Sequence, residues 1–296
     1  MENVKNSEKK VSFGKNRSLG EVSLRDVMGG AFTGELREAV DSETKLDFER
    51  SLKETGALFA RAGITVPSFG EIFGRDDLYG KSISFQRLAG LYQRMKNTEG
   101  FVPDLVIAPQ GLSADIWGKV LDNLVDNLVI NRDVRENWEL LNPSAVYRSD
   151  GTQVPCYIDN KGFCWTVRVI SGAPEPLLAD KTSLKDYTDG SVACPTISEL
   201  LTMQGRRMQE IGADGRPASF DDNSITWAAG SFRGVVTGEL VSPCVGRRVF
   251  ETHKVVYDEN NSSWLEKLVS RRYVVNVDLG KTNSSREPLT VRPVVG

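Results

Sequence analysis

What most constrains this chain is its closing stretch. From Ser224 the sequence reads SITWAAG, then a succession of short β-prone segments, then LTVRPVVG. Runs of Val, Ile, Thr, Tyr, Phe and Trp divided by Gly, Pro, Asn and Asp read as strands joined by turns. Strands are expected at 225–228, 232–237, 247–257, 272–279 and 289–295. In the fourth, Tyr273, Val275, Val277 and Leu279 alternate with Val274, Asn276 and Asp278. That alternation predicts one buried face and one mostly polar face. The strand-like VRPVV predicts a C-terminus built into a sheet. Between strands, Asp258–Trp264 (DENNSSW) reads as a loop that sets an aromatic ring beside hydrogen-bonding side chains.

Upstream the periodicity turns helical. Leu36, Val40, Leu46, Leu52, Leu58 and Phe59 recur at irregular helical spacings from Glu35 to about Ala62, and Gly63 is placed to end the helix. Ser68 and Glu71 have capping-box spacing, and Leu88, Leu91, Tyr92 and Met95 share one face of a helix over Phe85–Met95. Leu105–Ala108 reads as a short buried strand broken by Pro109 and Gly111. Ser113 then caps a helix expected to carry Ile116, Val120, Leu124 and Leu128 on one side. Backbone N–H groups at Gly111 and Leu112 make this strand-turn-helix unit a candidate anion site, with Asp104 and Asp115 as the nearby carboxylates. AVYR, QVPCYI and FCWTVRVI form a three-strand meander over 145–170, turned by Asp150-Gly151 and by Asp159–Gly162. A Pro/Gly/Asp-rich connector follows. Thr196 and Glu199 form a full T-x-x-E box opening a helix that runs to Gly212, with Arg206 and Arg207 on its solvated side.

Composition narrows the chemistry. His253 is the single histidine, so Ser-His-Asp and Cys-His catalysis have one residue to use and multi-histidine metal sites are excluded. It lies in VFETHKVVY, whose alternation makes it a strand residue. Cys156, Cys164, Cys194 and Cys244 lack the close pairs that zinc needs and read as reduced thiols, with Cys156 and Cys164 as cross-strand neighbours. Scattered Asp258, Glu259 and Asp278 read as solvated acids in place of calcium ligands. No catalytic residue, cofactor or metal ligand is assigned. With 26% charged residues and a net charge of −3, the chain as a whole is not marked for nucleic acid, which is not an expected partner. Lys5, Lys9, Lys10, Lys15, Arg17 and Arg25 make residues 1–30 a basic arm, read as a disordered tail. No stretch approaches the roughly 18 apolar residues of a membrane span, and the N-terminus lacks a signal-peptide core. A cytoplasmic protein without membrane insertion is expected.

The order from Thr196 onward resembles the C-terminal part of C-type-lectin-like proteins of the formylglycine-generating-enzyme branch. It is similar in particular to variable proteins diversified by retroelements and to related uncharacterised bacterial and phage proteins. The matching positions are Thr196–Gln204, then Trp227 with Gly230, then Val291, Arg292 and Pro293. Thr290 stands where that family usually has glycine, and the Asn-rich block typical of diversification is thin. The resemblance implies loops held on a small sheet pinned by the ends of the domain, with Trp227, Gly230 and Arg292 as structural pins. The catalytic cysteine arrangement of the enzyme members is not recognisable in this sequence, so the resemblance does not carry their activity with it.

The reading is α+β, with a helical N-terminal region (31–142) followed by a C-type-lectin-like mixed domain (143–296). The expected function is non-enzymatic recognition of a protein or other macromolecular ligand. Glu251, His253, Tyr257, Asn260, Asn261, Trp264, Arg271, Arg272 and Tyr273 are the candidate surface, because rigid aromatics, Arg and small polar side chains are what adaptable interfaces use. Two alternatives stand beside it: a phage or assembly scaffold, and a small-molecule or anion-binding enzyme using residues 104–128.

Overall fold

The structure, a computed structural model, describes residues 42–74, 83–97, 102–122, 124, 127–147, 153–172, 175–176, 194–210, 225–229, 232–233, 240–258, 263–280, 289–291 and 294–295. Along 247–258 and 263–274 it describes the backbone. The basic arm, Leu36, Val40, Gly212, Gly230, Asn260, Asn261 and Arg292 lie outside these residues. The described residues combine helices with one antiparallel and one mixed sheet, an α+β architecture.

Helix α1 (Ser42–Ala60) buries Thr44, Phe48, Ser51, Thr55, Leu58 and Phe59, one face at helical spacing. Leu46, expected on that face, is 62% exposed. Its place is taken by small polar residues that find partners: Ser51 Oγ donates to Leu105 O at 2.6 Å, and Thr55 Oγ1 to Ser51 O at 2.7 Å. Gly63, at φ 70, closes the helix end as expected. Helix α2 (Phe69–Phe73) has the Ser68/Glu71 capping box, and α3 (Phe85–Lys96) buries Leu88, Leu91, Tyr92 and Met95. Phe48, Phe69, Phe73, Phe85 and Tyr92 join these helices in tilted and edge-on ring pairs, with centroids 4.8–5.9 Å apart.

The first sheet is built on β4 (Cys164–Ser171), buried at every position. Strand β1 (Pro103–Gln110) runs antiparallel along one edge of it, from Pro103 opposite Ser171 to Gln110 opposite Cys164. On the other edge β3 (Cys156–Ile158) covers the first half of β4, and β11 (Val294–Val295) the second. Pro109 does not break β1, as the sequence suggested it would. The Leu105 carbonyl accepts from Ser51 and from Arg206, so it points out of the ladder. With a period of two, Pro109 occupies the same outward position, where a missing N–H removes no ladder bond. The β3–β4 turn is the expected one: Asp159 Oδ1 accepts from the N–H of Lys161 and of Phe163, and Gly162 takes φ 83. Cys156 stands opposite Thr166 and Cys164 opposite Ile158, so the two thiols are diagonal, not direct, neighbours.

Gly111 turns the chain at φ 76, and a Cβ there would lie 3.0 Å from Ser144 Cβ. Gly111→Ala is therefore expected to cost about 1–3 kcal/mol in urea unfolding, because strain and close approach act together. After it, α4 (Ala114–Leu121) starts at the Ser113 cap but ends two turns earlier than its periodicity suggested. Asp122 leaves the helix at ψ 139, and Leu128 belongs to β2 (Asn127–Ile130). The correction is tertiary: Leu128–Ile130 pair in parallel with Val275–Val277. Helices α5 (Arg132–Glu136) and α6 (Trp138–Leu141) follow.

The second sheet has the order β2-β9-β8-β6-β10-β5, with β5 at Glu175–Pro176, β6 at Ile225–Trp227, β8 at Leu240–Asp258, β9 at Ser263–Gly280 and β10 at Leu289–Val291. Strand β7 (Phe232–Arg233) pairs with the start of β8. Helix α7 (Ile197–Gln209) touches β1 of the first sheet and β8 of the second, and Ile197 through Gly205 are buried without a gap. The C-terminal segment, expected as one strand over 289–295, is divided. Strand β10 joins the second sheet and β11 the first, and Pro293, which has no N–H to donate, stands between them. Strand pairings β1–β4 and β2–β9 both cross residue 142.

Candidate functional site

Strands β8 and β9 pair from Ser242 opposite Gly280 to Asp258 opposite Ser263, but their neighbours do not follow them. Strand β6 reaches no further along β8 than Gly246, and β2 no further along β9 than Val274. Beyond those points Arg247–Asp258 and Ser263–Tyr273 pair, among the described residues, with each other alone. At about 3.3 Å per residue this two-stranded ribbon is about 40 Å long. Its register slips between Thr252 and His253: Thr252 faces Ser270 and His253 faces Leu268, leaving Val269 as the extra residue of a bulge.

Residues opposite each other in an antiparallel pair share a face, and faces alternate along each strand. One face therefore holds the positions of Arg247, Val249, Glu251, His253, Val255 and Tyr257 on β8. On β9 it holds Tyr273, Arg271, Leu268, Glu266 and Trp264. The other holds Arg248, Phe250, Thr252, Lys254, Val256 and Asp258, with Arg272, Ser270, Lys267, Leu265 and Ser263. Of the nine candidate positions, the register brings Glu251, His253, Tyr257, Trp264, Arg271 and Tyr273 to one face and puts Arg272 on the other. Glu251 stands directly opposite Arg271, and Tyr257 directly opposite Trp264. Trp264 is a strand residue, not a loop residue: the loop expected over Asp258–Trp264 gives way to pairing of Asp258 with Ser263.

No family model, curated protein or solved structure matches this chain.

Trp227, read as a structural pin, is 1% exposed in β6, opposite Cys244. The alternative strand-turn-helix site does not converge. Asp104 lies at the far end of β1, with Arg206 Nη1 at 3.3 Å and Arg207 Nη2 at 3.7 Å from its oxygens. Asp115 is 86% exposed and faces Arg135 at 3.7 Å. The Leu112 carbonyl in the turn accepts from Trp138 Nε1 at 2.8 Å and from Asn142 Nδ2 at 2.9 Å, which ties the turn to α6. Asp278 and Asp258, the scattered acids, are also apart. Asp278 pairs with Cys244, so Asp258 lies 14 residues further along β8, about 46 Å away. Asp278 Oδ1 accepts from Asn131 Nδ2 and from the Leu279 N–H. Among the described residues no group of three His, Cys, Asp or Glu is placed to hold a metal ion, and no helix is long and apolar enough to cross a membrane.

Two polar clusters escaped the sequence reading. Arg206, expected on the solvated side of α7, has a side chain only 10% exposed. It reaches Glu54 Oε2 at 2.8 Å and donates to the Leu105 carbonyl at 2.6 Å, joining α1, β1 and α7. Burial disfavours its charge, but Asp104 and Glu54 outweigh that and hold it more firmly protonated than usual. Deeper still, Glu199 is fully buried. Its carboxylate accepts from the Thr196 N–H at 2.8 Å, from Thr166 Oγ1 at 3.2 Å and from Arg168 Nη1 at 3.2 Å. Gln110 Nε2 extends the chain to Thr166 Oγ1 at 2.8 Å. The capping box signalled Glu199 as a helix cap; nothing local signalled its partner across the sheet. With both carboxylate oxygens engaged and no solvent access, this cluster fixes α7 to β4.

Proposed function

We propose that this chain is a non-enzymatic binding protein that engages a protein ligand through the Glu251/His253/Tyr257/Trp264/Arg271/Tyr273 face of the ribbon. The observation that carries this reading is the register, which sets Tyr257 opposite Trp264 and aligns Tyr273, His253 and a Glu251–Arg271 pair along the same face. Aromatic rings supply large rigid contact area at small entropic loss, and balanced charges supply register without net repulsion. An isolated two-stranded hairpin is marginally stable in water, so a ribbon rich in Val, Phe, Tyr, Trp and Leu gains from a partner that covers it.

Tyr257→Ala combined with Trp264→Ala in the full chain is the direct test. Two central aromatic anchors are worth about 2 kcal/mol or more each, so affinity for a partner isolated with the full chain is expected to fall at least about 100-fold. The melting temperature of the body should not move. Unchanged affinity would mean that this face is the wrong one.

The lectin-like reading of residues 143–296 belongs to the same proposal as a likeness in the order of elements, with β1 and β2 completing the sheets, and not as a unit that folds alone. Its support is the Thr196/Glu199 box opening α7, Trp227 in the core, and the last strand returning to β4. A second reading, assembly from copies of this chain, is favoured by the ribbon's outer edges, which no described strand pairs. Sedimentation velocity over a wide concentration range separates the two: a scaffold grows with concentration, and a binding module keeps one mass.

A further inference from the structure

We infer that the opposite face of the ribbon is a docking surface for the phosphate backbone of duplex nucleic acid. Arg248, Lys254, Lys267 and Arg272 occupy positions on that face, and among the described residues its one acid, Asp258, stands at the end of the paired stretch. The two faces differ in kind. On the aromatic face Arg271 stands opposite Glu251, and Arg247 and Glu266 keep the charges equal in number; on this one, among the described residues, no acid stands between Arg248 and Lys254.

The register adds a specific sign. Lys254 stands directly opposite Lys267. Paired strands lie about 4.8 Å apart, and like charges placed directly across a ladder destabilise it. A polyanion laid on the face turns that repulsion into attraction. Thr252 and Ser270, also opposite each other, bring hydroxyl-bearing residues between the two cationic levels, and hydroxyls are common phosphate partners. The acidic total of −3 does not argue against this, because steering depends on where charge is concentrated and not on its sum.

Dimensions favour a duplex. A two-stranded ribbon is the element, besides a helix, that the roughly 12 Å major groove admits. From Arg248 to the Lys254/Lys267 level is six residues of β8, about 20 Å, and Arg272, opposite Phe250, lies four residues, about 13 Å, from that level, so the cations meet phosphates at separate places along a groove. Single-stranded binding uses aromatic platforms, and Tyr257, Trp264 and Tyr273 lie on the other face.

The experiment is fluorescence anisotropy of a labelled mixed-sequence 20-base-pair DNA duplex with the full chain, between 50 and 200 mM salt. Four phosphate contacts give a log–log salt slope of about −3.6. Lys254→Gln with Lys267→Gln is expected to weaken binding at 50 mM salt and to reduce the slope by about 2, with an unchanged or higher melting temperature because a like-charge pair is gone. Tyr257→Ala with Trp264→Ala should leave duplex binding intact, so this inference and the protein-binding reading fail independently. The assignment is overturned if the wild type shows no binding at 50 mM salt, or if the lysine variant keeps the full slope. It is overturned too if Lys9→Gln with Lys10→Gln abolishes binding, if a single strand of the same length binds as tightly, or if only vesicles containing phosphatidylserine are bound.

Discussion

Residues 143–296, produced without the preceding segment, are expected not to fold, whereas residues 42–296 should unfold cooperatively. Strand β4 would lose β1 along all of its length, and β9 would lose β2. Trp165, fully buried, packs its ring 5.6 Å from Phe59, which in turn lies 5.5 Å from Trp117; both partners belong to the missing part. Helix α7, buried without a gap from Ile197 to Gly205, would lose α1 and β1. Each large apolar side chain returned to water forfeits about 1.5–3 kcal/mol. A handful of them exceeds the roughly 5–15 kcal/mol net stability of an ordinary domain. Near-ultraviolet circular dichroism and urea titration of the two fragments decide the matter. A cooperative transition in residues 143–296 would instead show an autonomous C-terminal unit, as the lectin-like resemblance implies.

How much of this was legible beforehand depends on the range of the interaction. Caps are local, and they were readable: Ser68 with Glu71, Ser113, and Thr196 with Glu199 each sit within one turn of what they cap. The Asp159–Gly162 turn was readable for the same reason. Long-range pairing was not. Leu128 fits a helical spacing as well as a strand, and what settles it is β9, whose Asp278 meets Asn131 across 147 residues. Arg206 looked like a surface cation because its partner Glu54 lies 152 positions away. Helix α1 misleads in another way: hydrophobicity assigns Leu46 to the core, yet the buried face uses Thr44, Ser51 and Thr55, of which Thr55 bonds to the Ser51 carbonyl one turn back and Ser51 to Leu105, 54 positions away.

The ribbon shows the same division. Its strand-forming residues were visible at 247–257 and 272–279, but Leu265–Val269 was not recognised, because a bulge at Val269 breaks the alternation that identifies a strand. The candidate residues were grouped by closeness in sequence. Which of them share a face is a property of register, and register appears only when the two strands are laid together. The cationic face went unnoticed for that reason: Lys254 and Lys267 become a pair only in space.

Glu199→Ala is expected to destabilise the protein by about 3–5 kcal/mol, the usual consequence of breaking a buried ion pair by removing one partner. Arg168 is 4% exposed and Glu199 fully buried, so the guanidinium left behind keeps its desolvation penalty without its counter-charge. The same substitution also removes the bond to the Thr196 N–H, half of the capping box, within a helix buried from Ile197 to Gly205. Arg168→Met should fall in the same range, since it strands the carboxylate instead. The double variant Arg168→Met/Glu199→Leu separates two accounts of the pair. If the pair adds net stability, the double variant stays well below the wild type, although it loses the interaction only once. If its main effect is that neither charge tolerates being alone, the double variant returns close to the wild type, because apolar replacement of both partners removes both desolvation penalties. We expect the second result, with a coupling of at least about 2 kcal/mol in urea unfolding of the four proteins. Additive losses within about 0.5 kcal/mol would show that Thr166 and the Thr196 N–H, not Arg168, hold Glu199 in place.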